Sequence, residues 1–155
     1  MKLEQAYKNA RLRYKEGNDN DRQLIRSIFG EDVFTNYGDV RDHIKTFEDA
    51  CEALNLNPEK VFNADDEDHV KAYKQLVVII RALNEVWTAD FANHSQAKYQ
   101  IWWTHPSVPG GGFSYHDYGC DSSNSYVGSR LCFANAKLAE YCAKQFVDIW
   151  NKFLL

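Results

Sequence analysis

Between Val70 and Trp87 the apolar residues Val70, Tyr73, Leu76, Val77, Ile80, Leu83 and Trp87 recur at three- and four-residue steps. That spacing lines one stripe of an α-helix. Val78 and Ile79 fill the opposite side, so the middle of the segment is apolar nearly all round and belongs at the domain centre rather than on its surface. The acidic run Asp65-Asp66-Glu67-Asp68 in front of it suits the positive end of a helix dipole, worth about 0.3–1 kcal/mol per well-placed exposed charge. The predicted helix covers residues 65–87. Read as a metal cluster instead, the same run is the weaker alternative.

A buried helix needs cover on more than one side, and the rest of the chain supplies it. Residues 2–16 carry Leu3, Ala6, Tyr7, Ala10 and Tyr14 on one stripe, and Gly17-Asn18-Asp19 ends that helix. Asp19 or Asn20 is placed to cap a second helix with Leu24, Ile25, Ile28 and Phe29, closed by Gly30, so the two form a helical hairpin. The pattern breaks over residues 31–45, where Tyr37-Gly38-Asp39 reads as a turn. Thr46-Phe47-Glu48-Asp49 then resembles a capping box, with Asp in the place of the usual Glu or Gln. Asn57-Pro58-Glu59 restarts a helical turn. After a connection over residues 88–98, Tyr99–Thr104, Phe113–Tyr118 and Ser129–Phe133 have strand composition, with a long Pro106–Gly112 loop between the first two. Asn135 caps a final helix reaching Phe153, with Leu138, Cys142, Phe146, Ile149 and Phe153 facing inward. The expected fold is α+β: N-terminal helices, a three-stranded antiparallel sheet, and a long C-terminal helix packed on it. The 155 residues suit one domain, with a helical hairpin and turn region over 1–45 and a main α+β core over 46–155.

Composition removes several classes. Apolar residues at 45% and charged residues at 26% match soluble globular chains rather than disordered or fibrous ones. The longest unbroken apolar run, Leu76 to Ile80, is far short of the roughly 20 residues of a bilayer span. Met1-Lys2-Leu3-Glu4 leads into Gln5 and Lys8 rather than an apolar core, so the expectation is a chain without a secretory signal, acting in the cytoplasm of whatever cell makes it. A net charge of -4 counts against a nucleic-acid partner. The dense basic cluster Lys8, Arg11, Arg13 and Lys15 has the spacing of a solvated helix face. Reduced thiols are expected for Cys51, Cys120, Cys132 and Cys142, with Cys51 and Cys142 on apolar helix faces.

Eight of the 22 aromatic residues fall between Tyr99 and Phe133. Strict alternation along strands puts Tyr99, Ile101, Trp103, Phe113, Tyr115, Leu131 and Phe133 on the core face. It leaves Gln100, Trp102, His116, Tyr118 and Arg130 on the other. An indole, a phenol, an imidazole and a guanidinium on one open face suit a protein partner, self-association or a small anionic, nucleotide-like ligand stacked on the rings. The plainer alternative is that Trp102 and Tyr118 are covered by the N-terminal helices.

Catalytic readings rest on less. His116 and Asp117 beside Cys120 offer an imidazole, a carboxylate and a nucleophile close in sequence, as a small Cys/His hydrolase needs, but such a mechanism also requires spatial contact. His105, His116, Cys120 and Cys132 lack the tight paired spacing of structural zinc sites. Gly110-Gly111-Gly112 lacks the Lys-Ser/Thr ending of a phosphate cradle. No metal and no cofactor is expected.

The combination of Thr46 to Leu54, Ala82-Leu83-Asn84-Glu85 with Trp87, Lys98 to Trp103, Gly112-Phe113-Ser114 and Val127 to Phe133 resembles small uncharacterised proteins encoded by phages and mobile elements of gut bacteria. The resemblance spans about residues 45–155 and implies a phage context, virion or host cell, with no activity and no functional residue attached. The resulting expectation is a non-enzymatic binding or assembly protein, oligomeric, using the Gln100, Trp102, His116, Tyr118 and Arg130 face or the Pro106–Gly112 loop. A nucleotide-signal-binding antagonist of host defence and the Cys/His hydrolase are the alternatives.

Overall fold

The computed structural model describes residues 6, 9–10, 13–14, 17–30 and 39–155. The chain divides into two compact units, residues 1–43 and 44–155.

In the first unit the described residues of the predicted 2–16 helix are helical, and α1 spans Asp19–Phe29. Its cap is Asn18, one residue earlier than the sequence suggests. Asn18 Oδ1 accepts from the Asp21 N–H at 3.0 Å, and the Asp21 carboxylate accepts back from the Asn18 N–H at 3.3 Å. Ala10 and Ile25 are buried together with Tyr14 and Phe29 against them, as a helical hairpin requires. Arg13, from the basic cluster, pairs with Asp21 at 3.2 Å. A short α2, Val40–His43, follows. The predicted turn at Tyr37-Gly38-Asp39 lies outside the described residues except for Asp39.

The second unit is α+β. It begins with α3, Phe47–Ala53, where Asp49 completes the capping box: its carboxylate accepts from the Thr46 N–H at 2.8 Å, and Thr46 Oγ1 accepts from the Asp49 N–H at 3.0 Å. Pro58–Lys60 forms a single 3-10 turn capped by Asn57. The central helix, α4, is shorter than periodicity alone predicts and spans Asp68–Leu83. Asp66 lies before it, accepting from the Asn63 N–H and from Lys74, while beyond it Glu85 takes a left-handed φ of 52° that stops the helix. Leu76, Ile79, Ile80 and Leu83 are fully buried.

Two strands follow, β1 (Lys98–Thr104) and β2 (Ser114–Asp121), antiparallel to one another. The expected third strand is reduced to one residue. Ser129–Leu131 winds into a 3-10 turn, and only Phe133 bridges to β1, exchanging both backbone hydrogen bonds with Tyr99 at 3.0 and 2.8 Å. The other flank of that segment is held by a side chain. Asn84 Nδ2 donates to the Cys132 carbonyl at 2.7 Å and Asn84 Oδ1 accepts from the Ala134 N–H at 2.9 Å, as a neighbouring strand would.

The long C-terminal helix is also two helices. α5 (Ala136–Gln145), capped by Asn135, packs on the sheet; α6 (Val147–Leu154) packs on α4. Phe146, at φ -114° and ψ 28°, turns the chain between them. One straight helix could not cover both surfaces. Trp150 of α6 closes the corner against Trp103, ring centroids 5.1 Å apart, and Asn151 repeats the Asn84 arrangement, bonding both the N–H and the C=O of Phe113 at 2.6 and 3.0 Å. Among the described residues no helix is long and apolar enough to cross a membrane.

Candidate functional site: the Trp102 face of the hairpin

Strand register decides which of the aromatic side chains share a surface. Lys98 pairs with Asp121, Gln100 with Gly119 and Trp102 with Asp117; Tyr99 pairs with Cys120 and Ile101 with Tyr118. A bulge then intervenes, and Trp103 pairs with Tyr115. His116 is the extra residue, so Tyr115 and Tyr118 oppose β1 residues of the same parity, which strict alternation forbids. Tyr118 therefore belongs with Tyr99, its ring centroid 5.7 Å away, and not with Trp102. The expected grouping of Gln100, Trp102, His116, Tyr118 and Arg130 is corrected accordingly: Gln100 and Trp102 share a face, Tyr118 lies on the opposite one, His116 is at the bulge, and Arg130 is in the 3-10 turn.

The face that holds Trp102 is built from alternate β1 side chains, Lys98, Gln100, Trp102 and Thr104. Lys98 is 0% exposed, and its ammonium donates to the carbonyls of Asn93, Gln96 and Ser122 at 2.9, 2.8 and 2.8 Å. All three of its donors are thus used on backbone, drawing together the loops before β1 and after β2. Gln100, 4% exposed, accepts at Oε1 from the Tyr126 N–H at 3.0 Å and donates from Nε2 to the Asn124 carbonyl at 3.3 Å. Trp102 follows Gln100 in the row and is 51% exposed. Its indole rests on Gly119, where a β-carbon would meet Nε1 at 2.7 Å. Glycine provides the seat, and the aromatic covers the gap that glycine leaves.

The loop 121–128, tied to Lys98 and Gln100, is also held by hydrogen bonds of its own. Asp121 accepts from the backbone N–H groups of Asn124 at 2.8 Å and Ser123 at 2.6 Å, and these bonds hold its carboxyl down at about 2. Ser125 Oγ accepts from the Gly128 N–H at 2.7 Å. The loop presents Tyr126, 87% exposed, with Val127 beside it. Tyr126 escapes sequence reasoning because it lies in a small polar stretch without periodicity; only the bond from its backbone N–H ties it to Gln100, in the row that holds Trp102. Asp117, opposite Trp102, accepts from the Tyr118 N–H at 2.8 Å. Bulge and carboxylate together blunt the outer edge of β2 against strand addition.

The proposed catalytic set is not drawn together. His116 and Cys120 are four residues apart on one strand, about 13 Å at about 3.3 Å per residue. Cys120 pairs with Tyr99, and the thiol beside the Tyr99 hydroxyl pushes that phenol above its ordinary range. The other thiols are structural: Cys51, Cys132 and Cys142 are buried, and burial raises each, Cys142 to about 12. The Pro106–Gly112 loop is anchored at its base, where Gly112 lies against Asn151 too closely for a β-carbon, while Val108 near its tip is exposed. Among the described residues no group of three or more His, Cys, Asp or Glu is arranged to hold a metal ion. No known protein family, curated protein or solved structure matches the chain.

Proposed function

We propose that the Trp102 face of the hairpin is a docking surface for another protein, and that the chain acts by binding rather than by covalent chemistry. The observation that carries this reading is a half-exposed indole held on a rigid seat. An aromatic ring fixed before contact loses little conformational freedom on binding, which is why tryptophan and tyrosine dominate the centres of interfaces. Tyr126 and Val127 extend the apolar area, and the Lys98 and Gln100 clamps hold the loop that presents them.

Comparison of intact chain with Trp102→Ala tests this reading. Capture from lysate of the producing cell identifies candidate partners, and titration with each purified partner then measures affinity. A loss of tenfold or more is expected, since central aromatics typically contribute about 2 kcal/mol or more. Equal affinity of both chains for every partner captured overturns the proposal. Sedimentation over a concentration series, run in parallel, separates self-association from binding of a different chain.

A further inference from the structure

We infer that this surface, taken as the docking face proposed above, selects a partner that presents a cationic side chain, arginine above all. From Tyr99 to Ser129 the sequence contains no lysine or arginine, and its only formal charges are Asp117 and Asp121. The nearest cation in the row, Lys98, is wholly buried with its three donors committed to carbonyls, and offers nothing to a ligand. Asp121 turns its carboxylate inward on Ser123 and Asn124.

Asp117 is different. It stands directly across from Trp102 on the same face, is exposed, and one oxygen accepts from the Tyr118 N–H while Oδ2 bonds to none of the described residues. A guanidinium is matched to this pair of groups. Its plane stacks on an indole, and its N–H fork reaches a neighbouring carboxylate. Opposite residues of an antiparallel pair stand about 5 Å apart at Cβ, close enough for one side chain to engage both. A phosphate or carboxylate ligand meets the reverse: a negative neighbour and, between Lys98 and Arg130, no lysine or arginine. Charge therefore directs the face toward basic partners and away from nucleotides and acidic peptides.

The test uses the full chain labelled with 15N and three nonapeptides of alternating glycine with arginine, glutamine or glutamate. The arginine peptide is expected to move the Trp102 indole N–H and the Asp117 and Tyr118 amides, with affinity falling as salt is raised. Asp117→Asn should weaken it roughly fivefold, the scale of one exposed charge with its cation–π neighbour. Trp102→Phe, which keeps an aromatic on Gly119, should weaken it less than Trp102→Ala. Equal affinity for the glutamine or glutamate peptide, indifference to Asp117→Asn, or no response to any peptide overturns the inference. The docking reading itself stands or falls separately, on whether Trp102→Ala changes affinity for the captured partner.

Discussion

The indole of Trp102 occupies the space above Gly119 that any larger residue would need, its Nε1 2.7 Å and its Cε2 3.1 Å from where a β-carbon would sit. The two positions act as one unit, and they specify each other. Gly119→Ala is expected to displace the ring and destabilise the second unit by about 1–3 kcal/mol, the usual cost of overpacking. In the Gly119→Ala/Trp102→Ala double variant the conflict is gone, so its loss of stability should be smaller than the sum of the two single losses. Urea denaturation of the four chains in a double-mutant cycle measures this coupling; strict additivity would show that the ring moves aside at no cost.

Lys98→Met should be among the most damaging substitutions in the chain. It leaves three carbonyls, those of Asn93, Gln96 and Ser122, without their common donor. A loss of about 3–5 kcal/mol is expected from unsatisfied buried acceptors. Hydrogen exchange should speed up in the loops on both sides of the hairpin before it does in α4. Lys98→Arg is not a rescue, because a planar fork cannot point three donors at three converging carbonyls.

Asn84 does for residues 132–134 what a third strand would. Asn84→Leu keeps the volume and removes both bonds, to the Cys132 carbonyl and the Ala134 N–H. A loss of about 2–3 kcal/mol follows from two unsatisfied buried backbone groups. Loss of the Phe133–Tyr99 bridge, seen as faster exchange of the Tyr99 amide, should accompany it; an unchanged Tyr99 amide would mean the bridge stands without its outer support.

Asp121 makes the 121–128 loop sensitive to acid. The N–H groups of Asn124 and Ser123 hold its folded value at about 2, below the 3.8 of the free side chain. A depressed carboxyl stabilises the folded chain above the unfolded value, and that contribution fades as pH falls from about 4 through about 2. The Ser123 and Asn124 amide resonances should titrate with a midpoint near 2 and be flat above pH 5. A midpoint at the ordinary carboxyl value would refute the turn.

The thiols should divide sharply under native conditions. Cys120 is exposed, whereas Cys51, Cys132 and Cys142 are buried. A disulfide reagent at neutral pH should titrate one group quickly and all four only after denaturation, with Cys142, raised to about 12 by burial, the slowest. Mass spectrometry of the labelled peptides identifies the fast site.

The helical part of the fold was legible because its signals are local. Periodicity over residues 65–87 located the buried helix, and Thr46 with Asp49 and Asn135 marked two helix starts from side chains within one turn of the groups they bond. The sheet was legible only in composition. Parity fails wherever a strand carries an extra residue, and His116 has no local signature of a bulge; that single residue moved Tyr118 to the opposite face from Trp102. The third strand looked real because Leu131-Cys132-Phe133 is apolar, but its partner on one side is the amide of Asn84, about fifty residues away in sequence. Lys98 falls in the expected connection over residues 88–98, and its burial at the start of β1 is not legible for the same reason: its acceptors are backbone carbonyls, which sequence does not distinguish. Phe146 sat in register for a continuous helix, and only the need to cover both sheet and α4 bends the chain there.

Three carbonyl oxygens converging on one positive centre is the arrangement by which many proteins gather loops around a bound alkali or alkaline-earth ion. Here the centre is the end of Lys98, attached by its own carbon stem. It cannot be diluted away, chelated or exchanged for a competitor, so the loops beside Trp102 keep their arrangement whatever the mineral content of the surrounding fluid.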